Sequence, residues 1–280
     1  MNESAGQTIT DQEFALFQKL IYQIAGIALS DAKKVLLVGR LGKRLKHYNF
    51  ATFSEYYRYL GGRDNSTELQ IMVDLLTTNE TYFFREPRHF DFLREVVLKE
   101  DRPGTFRIWS GASSSGEEAY SMAMTLAEYR PDAPWEVFGS DISLTVLAKA
   151  QAGLYSLERT DGIPPAYMKK YCLKGVRSQE GKFLIAPELR QRVSFAQLNL
   201  TRPISRVGGH GGGGGVGEFD VIFLRNVIIY FDQETKRKVV ENMLPMLKPN
   251  GYFIVGHSES LNGISCRVQA VRPTIYQRIP

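Results

Sequence analysis

The segment RIWSGASSSGEEAYS, residues 107–121, decides the fold. Its first four residues read as a short buried strand; Gly111, three consecutive serines and Gly116 then lead into a helical run over 117–129. Only small residues let backbone N–H groups come close to a ligand, so a strand that breaks into Gly and Ser and restarts as a helix has the form of a nucleotide-type site. An ordinary strand-to-helix turn has the same form. The G-x-G-x-x-G spacing of the dinucleotide fingerprint is missing, and this stretch alone leaves the two readings level.

Downstream, strands alternate with helices, which predicts a parallel sheet covered on both faces. Strands are expected at 107–110, 136–140, 193–196, 220–223 and 252–255, helices at 117–129, 143–151 and 233–246, and a closing hairpin within 266–277. Ligands of such sheets bind beyond the carboxyl ends of the strands. Polar residues stand at four of these ends: Ser110-Gly111, Asp141, Asn199 a few residues on, and Arg225-Asn226. Asp141 follows the glycine turn by one strand-helix-strand unit, where a carboxylate can accept both hydroxyls of a ribose. With Ser143 two residues later, a helix cap is the competing reading. The turn and Asp141 together suggest an adenosine-bearing ligand.

Two stretches interrupt the alternation. Between 154 and 193, turn signals at Pro164-Pro165, Gly175 and Glu180-Gly181 surround short strand-like pieces and predict a small antiparallel insertion. The run GGHGGGGGVG at 208–217 has eight glycines in ten residues and reads as a mobile loop. It holds no Lys, Ser or Thr, which disfavours a phosphate cradle.

Upstream, residues 1–76 read as all-helical. Asp11 is expected to cap a helix with Phe14, Phe17, Leu20, Ile21 and Ile24 on one stripe. A second helix starts at Asp31, with Val38, Leu41 and Leu45 on one side and Lys33, Arg40 and Arg44 on the other. That basic stripe is either a solvated face or a docking surface for an acidic partner. Thr52 with Glu55 forms a capping-box pattern before a tyrosine-rich helix, and 66–76 reads as a fourth. In TTNETYFFREPRHF, residues 77–90, Asn79, Thr81 and Arg85 are interleaved with aromatics, and Pro87 opens a helix. An arginine among aromatics usually has an anionic partner.

Composition narrows the class. At 280 residues the chain can bury a substantial core, and 43% hydrophobic with 23% charged residues suits a soluble globular protein. There is no apolar run of 18 residues, and MNESAGQT lacks the basic start and apolar core of a signal peptide, so a cytoplasmic protein without membrane insertion is expected. Cys172 and Cys266 lie far apart and read as reduced packing residues. The net charge of +5 is compatible with a nucleic-acid, membrane or acidic-protein partner.

Five blocks, TTNETYFFRE (77–86), SGASSSGEEAYSMA (110–123), FGSDIS (138–143), FDVIFLRNVIIYFD (219–232) and LKPNGYFIVGHSESL (247–261), resemble the CheR family of chemotaxis receptor methyltransferases, in the family's order and across essentially the whole chain. The resemblance implies S-adenosyl-L-methionine as cofactor, S-adenosyl-L-homocysteine as product, and glutamate side chains on the cytoplasmic domain of bacterial methyl-accepting chemoreceptors as acceptors, giving methyl esters. It implies a Rossmann-like α/β methyltransferase sheet at 91–280 with an inserted antiparallel β-subdomain at about 160–192. An N-terminal helical domain would span 1–76, and a linker at 77–90 would line the cofactor site. By matching motif, Asn79, Thr81, Arg85, Glu117, Asp141, Asn199, Leu200, Arg225 and Asn226 would contact the cofactor, Glu117 as the main polar contact of the opening turn. Arg85 and Tyr230 would lie beside the transferred methyl group. Lys33, Arg40 and Arg44 would touch the receptor, and the β-subdomain of some members also grips a receptor tail peptide.

A glutamate carboxylate, with a pKa near 4.3, is ionised at neutral pH, so this reaction needs no general base. That agrees with the lack of an evident His or carboxylate dyad. His257 in GHSES has no cysteine or acid at ligand spacing and reads as a structural hydrogen-bonding residue; no metal is expected. Tyr230 has a competing reading as a core aromatic. Two other functions remain open: a nucleic-acid methyltransferase and a non-catalytic cofactor-binding module. Against the first, enzymes that methylate amino groups of bases usually carry an Asp/Asn/Ser-Pro-Pro-aromatic pattern where this chain has Arg225-Asn226-Val227.

Overall fold

The computed structural model describes residues 8–62, 64–204 and 218–280, so the glycine-rich run at 208–217 lies outside the described residues. The chain divides into two compact units, Met1–Thr78 with Tyr230–Asp232, and Asn79–Ile229 with Gln233–Pro280. None of the described helices is long and apolar enough to cross a membrane.

The first unit holds α1 (Asp11–Ala25), α2 (Lys34–Tyr48), α3 (Phe53–Leu60) and α4 (Ser66–Leu76). The cap of α1 is Thr10, not Asp11. Its hydroxyl accepts the Glu13 N–H at 3.2 Å while the Glu13 carboxylate accepts the Thr10 N–H at 3.0 Å, a reciprocal box that satisfies two otherwise orphaned donors. Phe14, Phe17, Ile21 and Ala25 form its buried stripe, and the Phe17 ring meets Phe53 and Tyr56 of α3.

On α2 the sequence-based wheel needs correcting. A short 3-10 turn over Asp31–Lys33 precedes the helix, whose buried stripe is Leu37, Leu41 and Leu45, with Val38 half-buried. Arg40 and Arg44 therefore flank the core rather than face away from it. Arg40 donates to the carbonyls of Leu75 and Thr77, and Arg44 grips Glu68 through two nitrogens. Of the three expected docking cations, only Lys33 is exposed.

In the second unit, α5 (Pro87–Glu95) precedes β1 (Phe106–Ser110), α6 (Glu117–Tyr129), β2 (Trp135–Asp141) and α7 (Leu144–Ala152). A three-stranded antiparallel sheet follows, with β3 (Leu154–Ser156), β4 (Cys172–Lys174) and β5 (Lys182–Ile185) in the order β3-β5-β4; α8 (Pro165–Tyr171) lies between its first two strands. The chain continues through α9 (Pro187–Arg190), β6 (Val193–Gln197), β7 (Phe219–Leu224), α10 (Gln233–Met243) and β8 (Leu247–Val255), and ends in the hairpin β9 (Val268–Arg272) and β10 (Ile275–Arg278). The main sheet runs β6-β2-β1-β7-β8-β10-β9. Its first five strands are parallel, and β10 adds antiparallel to β8.

All six residues of β7 are buried, as expected for a central strand covered on both faces. One of them, Asp220, is 1% exposed and is held by Lys248 at 2.9 Å and by the Arg107 N–H at 2.9 Å. The expected strands all occur. Strand β8 starts earlier because Leu247 pairs with Phe219 across a register shift that the Pro249-Asn250-Gly251 turn signal obscures. The antiparallel insertion begins with β3 at Leu154, where the strand-helix alternation of the sequence breaks off. Cys172 is half-buried with its thiol pushed up to about 12 by burial, whereas Cys266 is exposed, so only the first is a packing residue.

Candidate active site at the carboxyl ends of the parallel strands

The order of the main sheet puts the ends of β2, β1, β7 and β8 side by side. After β1 the chain turns through Gly111 to Gly116, and Gly116 starts α6 with φ +95°, a region that favours glycine; an added Cβ would also meet Ala150 at 2.9 Å. Three N–H groups of this turn are committed to neighbouring strand ends. Gly111 donates to Phe223 O at 2.7 Å, Ser113 to Ser140 O at 2.8 Å, and Ser114 to Asp141 Oδ2 at 2.9 Å. The turn is thus a clasp across β7, β1 and β2, and its small residues serve close strand packing.

Asp141 ends β2 nearly buried. Its second oxygen accepts the Ser143 N–H at 2.9 Å, and Ser143 itself caps α7, which settles the choice of cap. Two backbone donors fix the orientation of this carboxylate, as a ribose-binding acid requires. Ser113 Oγ, buried in the same turn, has no hydrogen-bond partner, an orphaned polar atom suited to a polar ligand. Asn79 and Asn199 bracket the region: Asn79 O accepts from Ser114 Oγ at 2.9 Å, and Asn199 Oδ1 from Thr201 N and Oγ1 at 3.0 and 2.7 Å. Leu200 is buried, Thr81 half-buried. A carboxylate held in place and an unpartnered buried hydroxyl beside it are groups that fit S-adenosylmethionine.

Glu117 lies elsewhere in this network. It is fully buried, and its two oxygens accept from Ser115 Oγ at 2.7 Å and from Arg159. Burial raises its pKa, opposed by those two donors. The residue facing the strand ends is its neighbour Glu118, which accepts from Ser110 Oγ at 2.7 Å and from Arg225 Nη1 at 3.0 Å. Burial pushes Glu118 up as well, against the Arg225 charge.

Arg225, at the end of β7, is the hub. Besides Glu118 it reaches Glu86 at 3.1 Å and donates to the carbonyl of Arg85, so it ties β7 to α6 and to the linker before α5. Glu86 occupies the left-handed region at φ 56° and starts α5. Its carboxylate also accepts from Asn226 Nδ2 at 3.1 Å and from the His257 N–H at 3.2 Å. Burial works against ionisation there, but the Arg225 charge and these donors together hold Glu86 below the ordinary carboxylate range. Glu259 closes the layer, accepting the N–H groups of Asn226 at 2.8 Å and Gly256 at 2.6 Å. Arg85 itself lies with its guanidinium 5.6 Å from the Tyr82 ring centre, one nitrogen on Glu80 O at 3.0 Å.

Tyr230 groups with the helical unit, where its carbonyl accepts the Ala28 N–H at 2.9 Å. Glu86, Glu118 and Glu259 were missed at the sequence level. Glu118 is masked by Glu117 and Glu86 by Arg85, each the second of two adjacent charges, although Glu259 three residues after Gly256 does carry a turn signal.

Residues 79–276 match the family described as "CheR methyltransferase, SAM binding domain", and residues 12–77 match "CheR methyltransferase, all-alpha domain". The chain is 39% identical over 270 residues to a chemotaxis protein methyltransferase of Escherichia coli (strain K12), covering 96% of this chain and 91% of that protein. It is 38% identical over 270 residues to chemotaxis protein methyltransferase 2 of Pseudomonas aeruginosa, covering 95% and 93%. A chemotaxis protein methyltransferase of Borreliella burgdorferi is 34% identical over 284 residues, covering 96% and 95%. With both of its units matched and its polar strand ends arranged around a nucleoside-type site, the chain belongs to the CheR family of S-adenosylmethionine-dependent methyltransferases.

Proposed function

We propose that this enzyme transfers the methyl group of S-adenosylmethionine to glutamate side chains on the cytoplasmic domain of methyl-accepting chemoreceptors, forming methyl esters in chemotactic adaptation. The observation that carries this reading is the hub around Arg225, which pins the backbone of Arg85 to the strand ends. A pinned arginine there suits a carboxylate acceptor. Bound S-adenosylmethionine supplies an electrophilic sulfonium methyl, and the chain's own residues do the rest by positioning.

Asp141 orients the ribose, with Asn79, Thr81, Asn199, Leu200, Arg225 and Asn226 around the remainder. Glu117, at the start of α6, is the main polar contact of the turn with the cofactor, its carboxylate held by Ser115 and Arg159. Arg85 aligns the incoming carboxylate by charge-assisted hydrogen bonds, and Tyr230 orients the acceptor. Alignment of this kind can supply several kcal/mol of the barrier. Charge is neutralised in the transition state, so too tight a grip would quench the nucleophile, and Arg85 orients more than it activates.

Residues 1–76 would present the receptor-facing surface, 77–90 the cofactor-lining linker and 91–280 the catalytic domain. Lys33, exposed in the turn before α2, and Arg40 and Arg44 on α2 would touch an acidic receptor surface. The insertion at about 160–192 would take a receptor tail peptide. The enzyme would work in the cytoplasm. Incubation with labelled S-adenosylmethionine and receptor-containing membranes tests the proposal: the label should enter the receptor and leave in mild base, as a methyl ester does. A base-stable label, or label on nucleic acid, would overturn it.

A further inference from the structure

Glu86, His89 and His257 bring three ligand-type atoms within 4.8 Å of one another, although 168 residues separate the two histidines in sequence (257 − 89). His89 is 2% exposed, and His257 stands above it with ring centres 5.0 Å apart. The arrangement of protons around His89 is informative. Its Nε2 lies 2.8 Å from Thr274 Oγ1, and that hydroxyl spends its single proton on Pro273 O at 2.6 Å. His89 Nε2 must therefore be the donor, which leaves Nδ1 as a bare lone pair. This Nδ1 is buried, makes no hydrogen bond, and faces Glu86 Oε2 at 3.4 Å. A buried lone pair opposite a carboxylate oxygen is an arrangement that a cation between them would satisfy.

We infer that Glu86, His89 and His257 form a binding site for a divalent transition-metal ion of the zinc class. Neutral imidazole suits zinc, nickel and copper, and a two-histidine, one-carboxylate set leaves an outer position for water. The bond from Nε2–H to Thr274 is the kind of outer contact that fixes the tautomer of a ligating histidine. Zinc bonds of about 2.0–2.2 Å in tetrahedral geometry put ligand atoms about 3.4 Å apart. The His89–Glu86 separation already matches. His257 Nε2 is 3.9 Å from Glu86 Oε2, and His257 is half-exposed and free to close that gap by a rotamer adjustment. Arg225, 3.1 Å from the same oxygen, opposes a second cation; its charge is shared with Glu118, and Glu86 Oε2 must exchange one of its present contacts for the ion.

The test is zinc titration of the untagged, chelator-treated full chain against a chromophoric chelator, with cobalt absorption as a second readout. One equivalent should bind, with a cobalt spectrum of nitrogen and oxygen ligation. His257→Ala removes a half-exposed ligand and should weaken zinc binding more than tenfold while leaving the melting temperature unchanged. His47→Ala, on exposed α2 surface, should bind as the parent does. Equal affinity in the parent and His257→Ala, loss of binding in His47→Ala, or a thiolate cobalt spectrum would overturn the assignment.

Discussion

Two arginine–glutamate clusters, one in each unit, use the same residue types to different ends. In the helical unit Glu68 accepts from Arg44 through both oxygens and from the hydroxyls of Tyr56 at 2.7 Å and Tyr48 at 3.0 Å. Burial alone would raise its pKa, but four donors from three sources hold it below the ordinary range. In the methyltransferase unit Arg225 is divided between Glu86, Glu118 and the carbonyl of Arg85, and its Nε has no partner. There burial prevails and Glu118 is pushed up. One carboxylate with surplus donors is a closed brace. One guanidinium shared among carboxylates from separate segments is a joint, and it sits where the ligand-binding ends of the strands meet.

The contrast can be broken by mutation. The largest effect is expected at Arg85, whose side chain braces nothing buried: Arg85→Ala should lower methyl transfer by more than about 100-fold with an unchanged melting temperature. Turnover at the parent rate would remove it from the mechanism. Next, Arg225→Met strands two carboxylates at the joint and should cost about 3–5 kcal/mol in urea unfolding, along with cofactor affinity measured by calorimetry. Arg44→Met strands only Glu68, whose tyrosine donors remain, and should cost roughly 3 kcal/mol while cofactor affinity stays at the parent value. If Arg44→Met weakened cofactor binding as strongly as Arg225→Met, the distinction between brace and joint would fail.

The smallest effect sharpens the comparison by pH. Glu68 has its native pKa below 4.5, so its stabilisation is full above pH 4.5 and is lost as pH falls through the native value. Glu118 has its native pKa above 4.5, so its contribution is full below pH 4.5 and is lost as pH rises through the native value. Urea unfolding across about pH 3–7 should show Glu68→Gln flattening the acid limb and Glu118→Gln flattening the limb above pH 4.5. Identical profiles for the two variants would contradict the opposed shifts.

Much of the second unit was legible before any coordinates. The strand over 219–224 is apolar but for Asp220, and Asp141 and Arg225-Asn226 stand where such runs stop. The first unit was less so: α2 buries Leu37, Leu41 and Leu45 instead of centring on Val38, so Arg40 and Arg44 lie at the core margin and not on an outer stripe. Likewise Glu117 and Glu118 are adjacent in sequence, but successive helical residues point about 100° apart. Which of the two meets Arg225 is decided by how α6 rests on the sheet.

By itself, then, the sequence determined the strand-helix alternation, the polar strand ends and the helical character of residues 11–76, because hydrophobic period, caps and breakers act over a few residues. Tertiary structure alone decided which charges pair. Glu68 lies 24 residues from Arg44, Glu118 lies 107 from Arg225, and Glu86 lies 171 from the backbone N–H of His257. Charge pairing depends on distance and burial after folding, and no local pattern encodes either.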